Sequence, residues 1–168
     1  MTSMPAAERI GSHIKRAEQA LASTKQAVLK PAGLTVAQYG ALLFLSEQPG
    51  ASAAGLARAC GVTPPTMNTV LKNLQERGLI VRTRHELHRN VLETRLTDEG
   101  ERVVADGDSR AVPVERALAA EFTAEERESL IALLGRCVDL LESVRPAESF
   151  ARPERRPPSG GRRGTGGP

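Results

Sequence analysis

A mainly helical fold carrying one small β-hairpin is what this sequence predicts, and three observations predict it. Two short helical segments flank a glycine turn at Cys60-Gly61-Val62, and the second opens on Thr63-Pro64-Pro65. Two β-prone runs, 79–84 and 91–96, then bracket a polar loop from His85 to Asn90. Long amphipathic stretches lie before and after this unit, at 6–30 and 101–146. Together these read as a winged helix-turn-helix set between N- and C-terminal helices.

The first long helix, 6–30, carries Ile10, Ile14, Ala17, Leu21 and Val28 on one stripe, and Pro31-Ala32-Gly33 ends it. Thr35 with Gln38 forms a capping box that opens a helix to about Glu47, burying Tyr39, Leu42, Leu43 and Leu45 before Pro49-Gly50 stops it. Ser52 caps the short helix 52–59, and Gly61 lets the backbone reverse. Thr63 is the N-cap of the next helix, with Pro64 and Pro65 in its first turn, where a missing N–H breaks no helical bond. Met67, Val70, Leu71 and Leu74 recur at spacings that put them on one buried face. Thr66, Asn68, Thr69, Lys72 and Asn73 then point outward. Gly78 closes this helix and leads into the hairpin.

Beyond the hairpin, Thr97 caps a helix whose first turn holds Asp98 and Glu99, favourable at the positive end of the helix dipole. Gly107 and Pro113 are expected to weaken or kink it. Thr123 with Glu126 forms a second capping box, followed by Leu130, Leu133, Leu134, Cys137, Val138, Leu140, Leu141 and Val144. A helix so apolar needs a partner surface, and the stripe on 6–30 is its complement, either within one chain or across a dimer. From Pro146 the composition turns to Pro, Gly, Arg and Ser, so 147–168 is expected to be a disordered tail whose arginines add at most a weak, sequence-independent attraction to DNA. The expected organisation is one domain over 6–146, with a lobe at 33–100 flanked by helices at 6–30 and 101–146, which the family resemblance described below implies are dimerisation helices.

With three Phe, one Tyr and no Trp in 168 residues, Leu, Val and Ala must fill the core. The net charge of +3 arises entirely from residues 146–168, which hold five Arg and two Glu, so the body is neutral. Any affinity for nucleic acid must therefore come from local placement of charge, and residues 61–95 carry six basic against three acidic side chains. No apolar run approaches the roughly 20 residues that span a bilayer, and no charged-then-apolar signal region opens the chain, so a soluble cytoplasmic protein is expected. Cys60 and Cys137 suggest neither a disulfide framework nor a redox pair; each sits among apolar neighbours on an expected core face.

The outward face of helix 63–77 is polar and barely charged, which suits hydrogen bonding to base edges in a major groove better than simple solvation. Its candidate DNA-binding residues are Thr63, Pro65, Thr66, Asn68, Thr69, Lys72 and Asn73. On the wing the candidates are Arg82, Arg84, His88 and Arg89. Arg84 and Arg89 flank the loop tip and are favoured for backbone or minor-groove contact, while Arg82 and Arg95 could equally pair with Glu93 or Glu86 across the hairpin. His85-Glu86-Leu87-His88 lacks the spacing that sets two histidines on one helical face, so no metal and no cofactor is expected.

Leu56-Ala57 before the turn, Gly61-Val62-Thr63-Pro64 after it, Leu74…Arg77-Gly78-Leu79-Ile80 entering the wing and Leu96-Thr97-Asp98-Glu99-Gly100 leaving it resemble the MarR family of bacterial regulators. Gly33-Leu34-Thr35-Val36-Ala37-Gln38-Tyr39 resembles the family's entry to its second helix. The resemblance implies a homodimeric regulator of transcription, a repressor of double-stranded DNA sites with pseudo-palindromic symmetry, controlled by a small-molecule effector. It also implies that His13 and Lys15 could line a ligand cavity, though such residues are more often simply on the surface. One departure stands out. Members often carry Asp-x-Arg at the wing tip, where this chain has His88-Arg89-Asn90, so the tip arginine is either Arg89 or Arg84. Relatives that sense peroxide place a cysteine near the end of the first long helix, and this chain has none there. Two other classes compete: a winged helix used for protein contact, and an enzyme or thiol-based redox sensor. The sequence contains no glycine-rich cofactor loop and no room for a catalytic domain.

Overall fold

Five side-chain caps set the helix boundaries of this chain, whose computed structural model describes residues 4–84 and 92–144. The wing tip at 85–91 and the tail expected at 147–168 lie outside the described residues. Helices α1 (Ile10–Leu29), α2 (Val36–Glu47), α3 (Ala53–Ala59) and α4 (Pro64–Glu76) precede strands β1 (Ile80–Arg84) and β2 (Leu92–Leu96); α5 (Asp98–Ala120) and α6 (Ala124–Ser143) follow. Thr35, Ser52, Thr63, Thr97 and Thr123 each accept a backbone N–H from the residue three positions on, satisfying a donor that the helix itself leaves open. Both expected capping boxes, Thr35–Gln38 and Thr123–Glu126, are complete. Arg9, the N-cap of α1, makes no such bond, and the helix starts four residues later than expected, after a 3-10 turn at Ala6–Glu8.

The chain divides into two compact units, 1–121 and 122 onward. In the first, Leu29, Leu34, Leu42, Leu45, Leu56, Met67, Leu71, Leu74 and Ile80 are all but fully buried, joining α1 through β1 into one core. Strands β1 and β2 pair antiparallel, Ile80 opposite Leu96 and Arg82 opposite Thr94. A third short edge, invisible to periodicity, adds to this hairpin: Ala51 bridges Thr94, with Thr94 N–H donating to Ala51 O at 3.2 Å and Gly50 N–H donating to Thr94 O at 2.9 Å. The second unit holds α6, which has no buried residue of its own.

The exit from the wing depends on Thr97. Its hydroxyl donates to Gly78 O at 2.7 Å and accepts from Gly100 N–H at 3.0 Å, while its own N–H donates to Leu79 O at 3.1 Å. These bonds bring the first turn of α5 against the α4–β1 junction. A Cβ at Gly100 would fall inside the van der Waals radius of the Leu79 carbonyl, so only glycine permits this approach.

Gly107 and Pro113 do not interrupt α5, which runs as one helix from Asp98 to Ala120. Gly107 is buried, and a Cβ there would meet Leu34, Tyr39 and Leu29 at 3.1–3.4 Å. Its missing side chain is what lets α5 lie close to α1 and α2, and that packing outweighs glycine's low helix propensity.

Beside Gly107, the Tyr39 hydroxyl donates to Asp108 Oδ1 at 2.8 Å, tying α2 to α5. Burial first, then the hydrogen bond to Asp108 and that residue's charge, hold the Tyr39 phenol well above the usual tyrosine range. The folded state thus binds the phenolic proton more tightly than the unfolded chain, where tyrosine titrates near ~10. Stability from this source is full below about pH 10 and is lost as pH rises beyond it. Tyr39→Phe is expected to lower unfolding free energy by about 1–2 kcal/mol at neutral pH and to flatten the alkaline decline. Because Tyr39 is the single tyrosine of the chain, ultraviolet absorbance against pH reads this phenol alone. A native titration near that of free tyrosine would disprove the account.

Candidate nucleic-acid interface

The helix-turn-helix is built from local signals. Ser52 Oγ accepts Gly55 N–H at 3.2 Å to start α3, and Gly61, at φ 62, turns the chain while Val62 N–H donates to Ala57 O at 3.0 Å. Thr63 then starts α4, accepting Thr66 N–H and sharing a 2.8 Å bond between the two threonine hydroxyls. Met67, Leu71 and Leu74 are fully buried beneath α4. This rigid underside fixes how the opposite face is presented.

All seven residues expected on that face, Thr63, Pro65, Thr66, Asn68, Thr69, Lys72 and Asn73, are exposed. They differ in freedom. Thr66 is engaged with Thr63, and Thr69 Oγ1 donates to Pro65 O at 3.2 Å. Lys72 Nζ stands 3.8 Å from Glu76 Oε1 with both side chains well exposed, a pair that holds the ammonium only loosely. Asn68 has no hydrogen-bond partner among the described residues. Asn73 is different, since its Oδ1 accepts from Gln38 Nε2 at 2.7 Å. Arg77, counted by charge with the basic surface, donates from Nη1 to Gly33 O at 3.0 Å. These two contacts join the C-terminal half of α4 to the start of α2 across 35 and 44 residues of sequence, and no local pattern announces either.

On the wing, Arg84 is exposed. Arg82 points with Ile80 to the inner face, half-buried opposite the fully buried Thr94. Arg82 Nε and Thr94 Oγ1 are buried and have no hydrogen-bond partner among the described residues. Arg95 Nη2 lies 3.1 Å from Glu93 Oε2, so its pairing is with a residue two positions away on its own strand rather than across the hairpin. His88 and Arg89 lie outside the described residues, as do His85 and Glu86.

Cys60 is half-buried behind this unit, and burial pushes its thiol above the usual cysteine range. Reactive cysteines need the opposite shift, because the thiolate is the nucleophile.

A family model described as MarR family matches residues 32–89, which hold α2, α3, α4 and β1. The HTH-type transcriptional repressor Rv2887 of Mycobacterium tuberculosis is 30% identical over 125 residues, 74% of this chain and 90% of that protein. The chain belongs to the MarR family. Members of the family are regulators of transcription and not enzymes, which removes the catalytic alternative. Among solved structures, the PcaV transcriptional regulator from Streptomyces coelicolor in complex with its natural ligand matches with a TM-score of 0.73 at 26% identity, over 83% of this chain and 98% of its own. The transcriptional repressor CouR bound to a 23-mer DNA duplex matches with a TM-score of 0.70 at 27% identity, over 82% of this chain and 99% of its own. Rv2887 has itself been solved with p-aminosalicylic acid, with a TM-score of 0.61 at 29% identity over 77% of this chain and 98% of its own. This MarR-family chain thus resembles transcriptional regulators, one seen on DNA and others with small molecules bound.

Proposed function

We propose that the protein is a homodimeric, ligand-responsive repressor that reads a pseudo-palindromic DNA site with α4 of each subunit. The observation that carries this reading is the outer face of α4, where exposed Asn68 and loosely paired Lys72 stand opposite a fully buried underside. Asn matches the edge of adenine and Lys that of guanine in a major groove. Thr63, Pro65, Thr66 and Thr69 occupy the N-terminal half of the helix, the part that approaches base edges in helix-turn-helix docking. Asn73 positions α4 through Gln38. Arg84, with His88 and Arg89 at the tip, takes flanking phosphates or the minor groove, and the inward Arg82 supports the wing from beneath.

Dimerisation is supported by apolar surface that one chain leaves uncovered: Ile131, Leu140 and Leu141 of α6 and Val144 just after it are each more than 60% exposed, as is Ile10 of α1. The DNA complex of CouR and the ligand complexes of PcaV and Rv2887 support the same two kinds of partner here. An effector would act by binding more tightly to a dimer geometry whose reading heads no longer match the half-site spacing. Such a regulator works in the cytoplasm; among the described residues, no single helix is long and apolar enough to cross a membrane.

Selection from a randomised DNA library at about 0.15 M salt tests this reading. Enrichment of an inverted repeat with half-sites about one helical turn apart is the expected result. No enrichment over random DNA, with or without small aromatic ligands, would overturn it in favour of a protein-contact role.

A further inference from the structure

A cleft of about 520 Å³ opens between the C-terminal half of α2, strand β2 and the first half of α5. A space of that size accommodates a small organic molecule. Its apolar wall comes from Leu43, Leu45, Leu96 and Val104. Two carboxylates, Glu101 and Asp108, line it against a single guanidinium, that of Arg95. Glu101, Val104, Ala105 and Asp108 follow the helical repeat and share one face of α5.

The charges in this cleft do not balance. Arg95 is paired with Glu93 at 3.1 Å. Asp108 accepts a hydrogen bond from Tyr39, which orients its carboxylate but brings no positive charge. The carboxylate of Glu101 has no partner among the described residues. Two acidic residues thus line an apolar hollow in which, among the described residues, Arg95 is the one cation, and it is paired with Glu93. We propose that this cleft binds a small amphipathic cation, an amine on an aromatic or branched aliphatic body, with the ammonium against the acidic face of α5 and the body against Leu43, Leu45, Leu96 and Val104. The proposal rests on the ligand-responsive reading and gives the ligand a charge opposite to the p-aminosalicylic acid bound by Rv2887. Arg95 and Leu96 belong to β2, so an occupant bridges the wing and α5. It alters DNA affinity to the extent that it binds different wing positions unequally.

Calorimetric titration of the full chain without DNA, at about physiological salt, tests this with two probes of like shape, phenethylammonium and 3-phenylpropanoate. Phenethylammonium is expected to bind once per chain, with 3-phenylpropanoate at least about tenfold weaker because like charges then face each other. Glu101→Gln, at an exposed position, should weaken phenethylammonium about fivefold, the scale of one partly screened charge pair. Ala105→Trp fills the cleft from the exposed side of α5 and should abolish binding, with circular dichroism confirming an intact fold. Equal or tighter binding of 3-phenylpropanoate, no heat from either probe at millimolar concentration, or phenethylammonium binding undisturbed by Ala105→Trp would each overturn the assignment. Since no DNA is present, such a failure is separate from failure of the operator selection.

Discussion

Gly100→Ala is expected to destabilise the protein by at least about 3 kcal/mol, enough to unfold a marginal domain. The cause is not loss of glycine's flexibility, since position 100 is helical and alanine would ordinarily favour a helix. A methyl group there would overlap the backbone carbonyl of Leu79. Backbone cannot rotate away as a side-chain tip can, so the first turn of α5 would have to lift off the α4–β1 junction. Lifting it stretches the bonds from Thr97 to Gly78 and Leu79, and the wing loses its anchor. Gly55→Ala supplies the control. It also lies in a helix, but a Cβ there meets only Ser52 Oγ at 3.5 Å, an ordinary contact. Its expected effect is a gain of up to about 1 kcal/mol. Urea unfolding of both variants would decide the matter, and a Gly100→Ala midpoint equal to wild type would refute the close-approach account.

Replacing Asn68 and Lys72 together by alanine is expected to weaken binding to the selected operator by about 2–6 kcal/mol per half-site, from about 1–3 kcal/mol for each base contact. Binding to random DNA should fall much less, since one cation per subunit is removed and the salt slope drops by about 0.9 for each subunit in contact. Neither side chain touches the core, so the unfolding midpoint should move by less than about 0.5 kcal/mol equivalent. Equal losses on operator and random DNA would show that α4 supplies charge rather than base recognition. Asn73 is left out of this pair because its oxygen is held by Gln38, and removing it would disturb the seating of α4 as well as any contact to DNA.

Helix starts were legible because each is a local event. Thr35, Ser52, Thr63, Thr97 and Thr123 cap amide groups three residues away, and the side chains that do so are recognisable in a short window. The buried face of α4 was legible for a related reason: helical periodicity places Met67, Leu71 and Leu74 together whatever they pack against. The inward turn of Arg82 was not. Strand alternation puts it with Ile80, but its charge argued for solvent, and the pairing with buried Thr94 depends on the register of a distant strand.

Taken alone, the sequence determined where the five capped helices and the hairpin begin, which face of α4 is buried, and the family to which the chain belongs, because capping, periodicity and turn chemistry act over three to seven residues. Only the tertiary structure decided which polar residues of α4 and the wing are free and which are structural. Gln38 on Asn73, Arg77 on Gly33, the gap left for Leu79 at Gly100 and the space taken by Leu34 and Tyr39 at Gly107 all join residues far apart in the chain. Whether such groups meet is settled by the packing of whole helices, where a shift of an ångström makes or breaks a contact that no local pattern records.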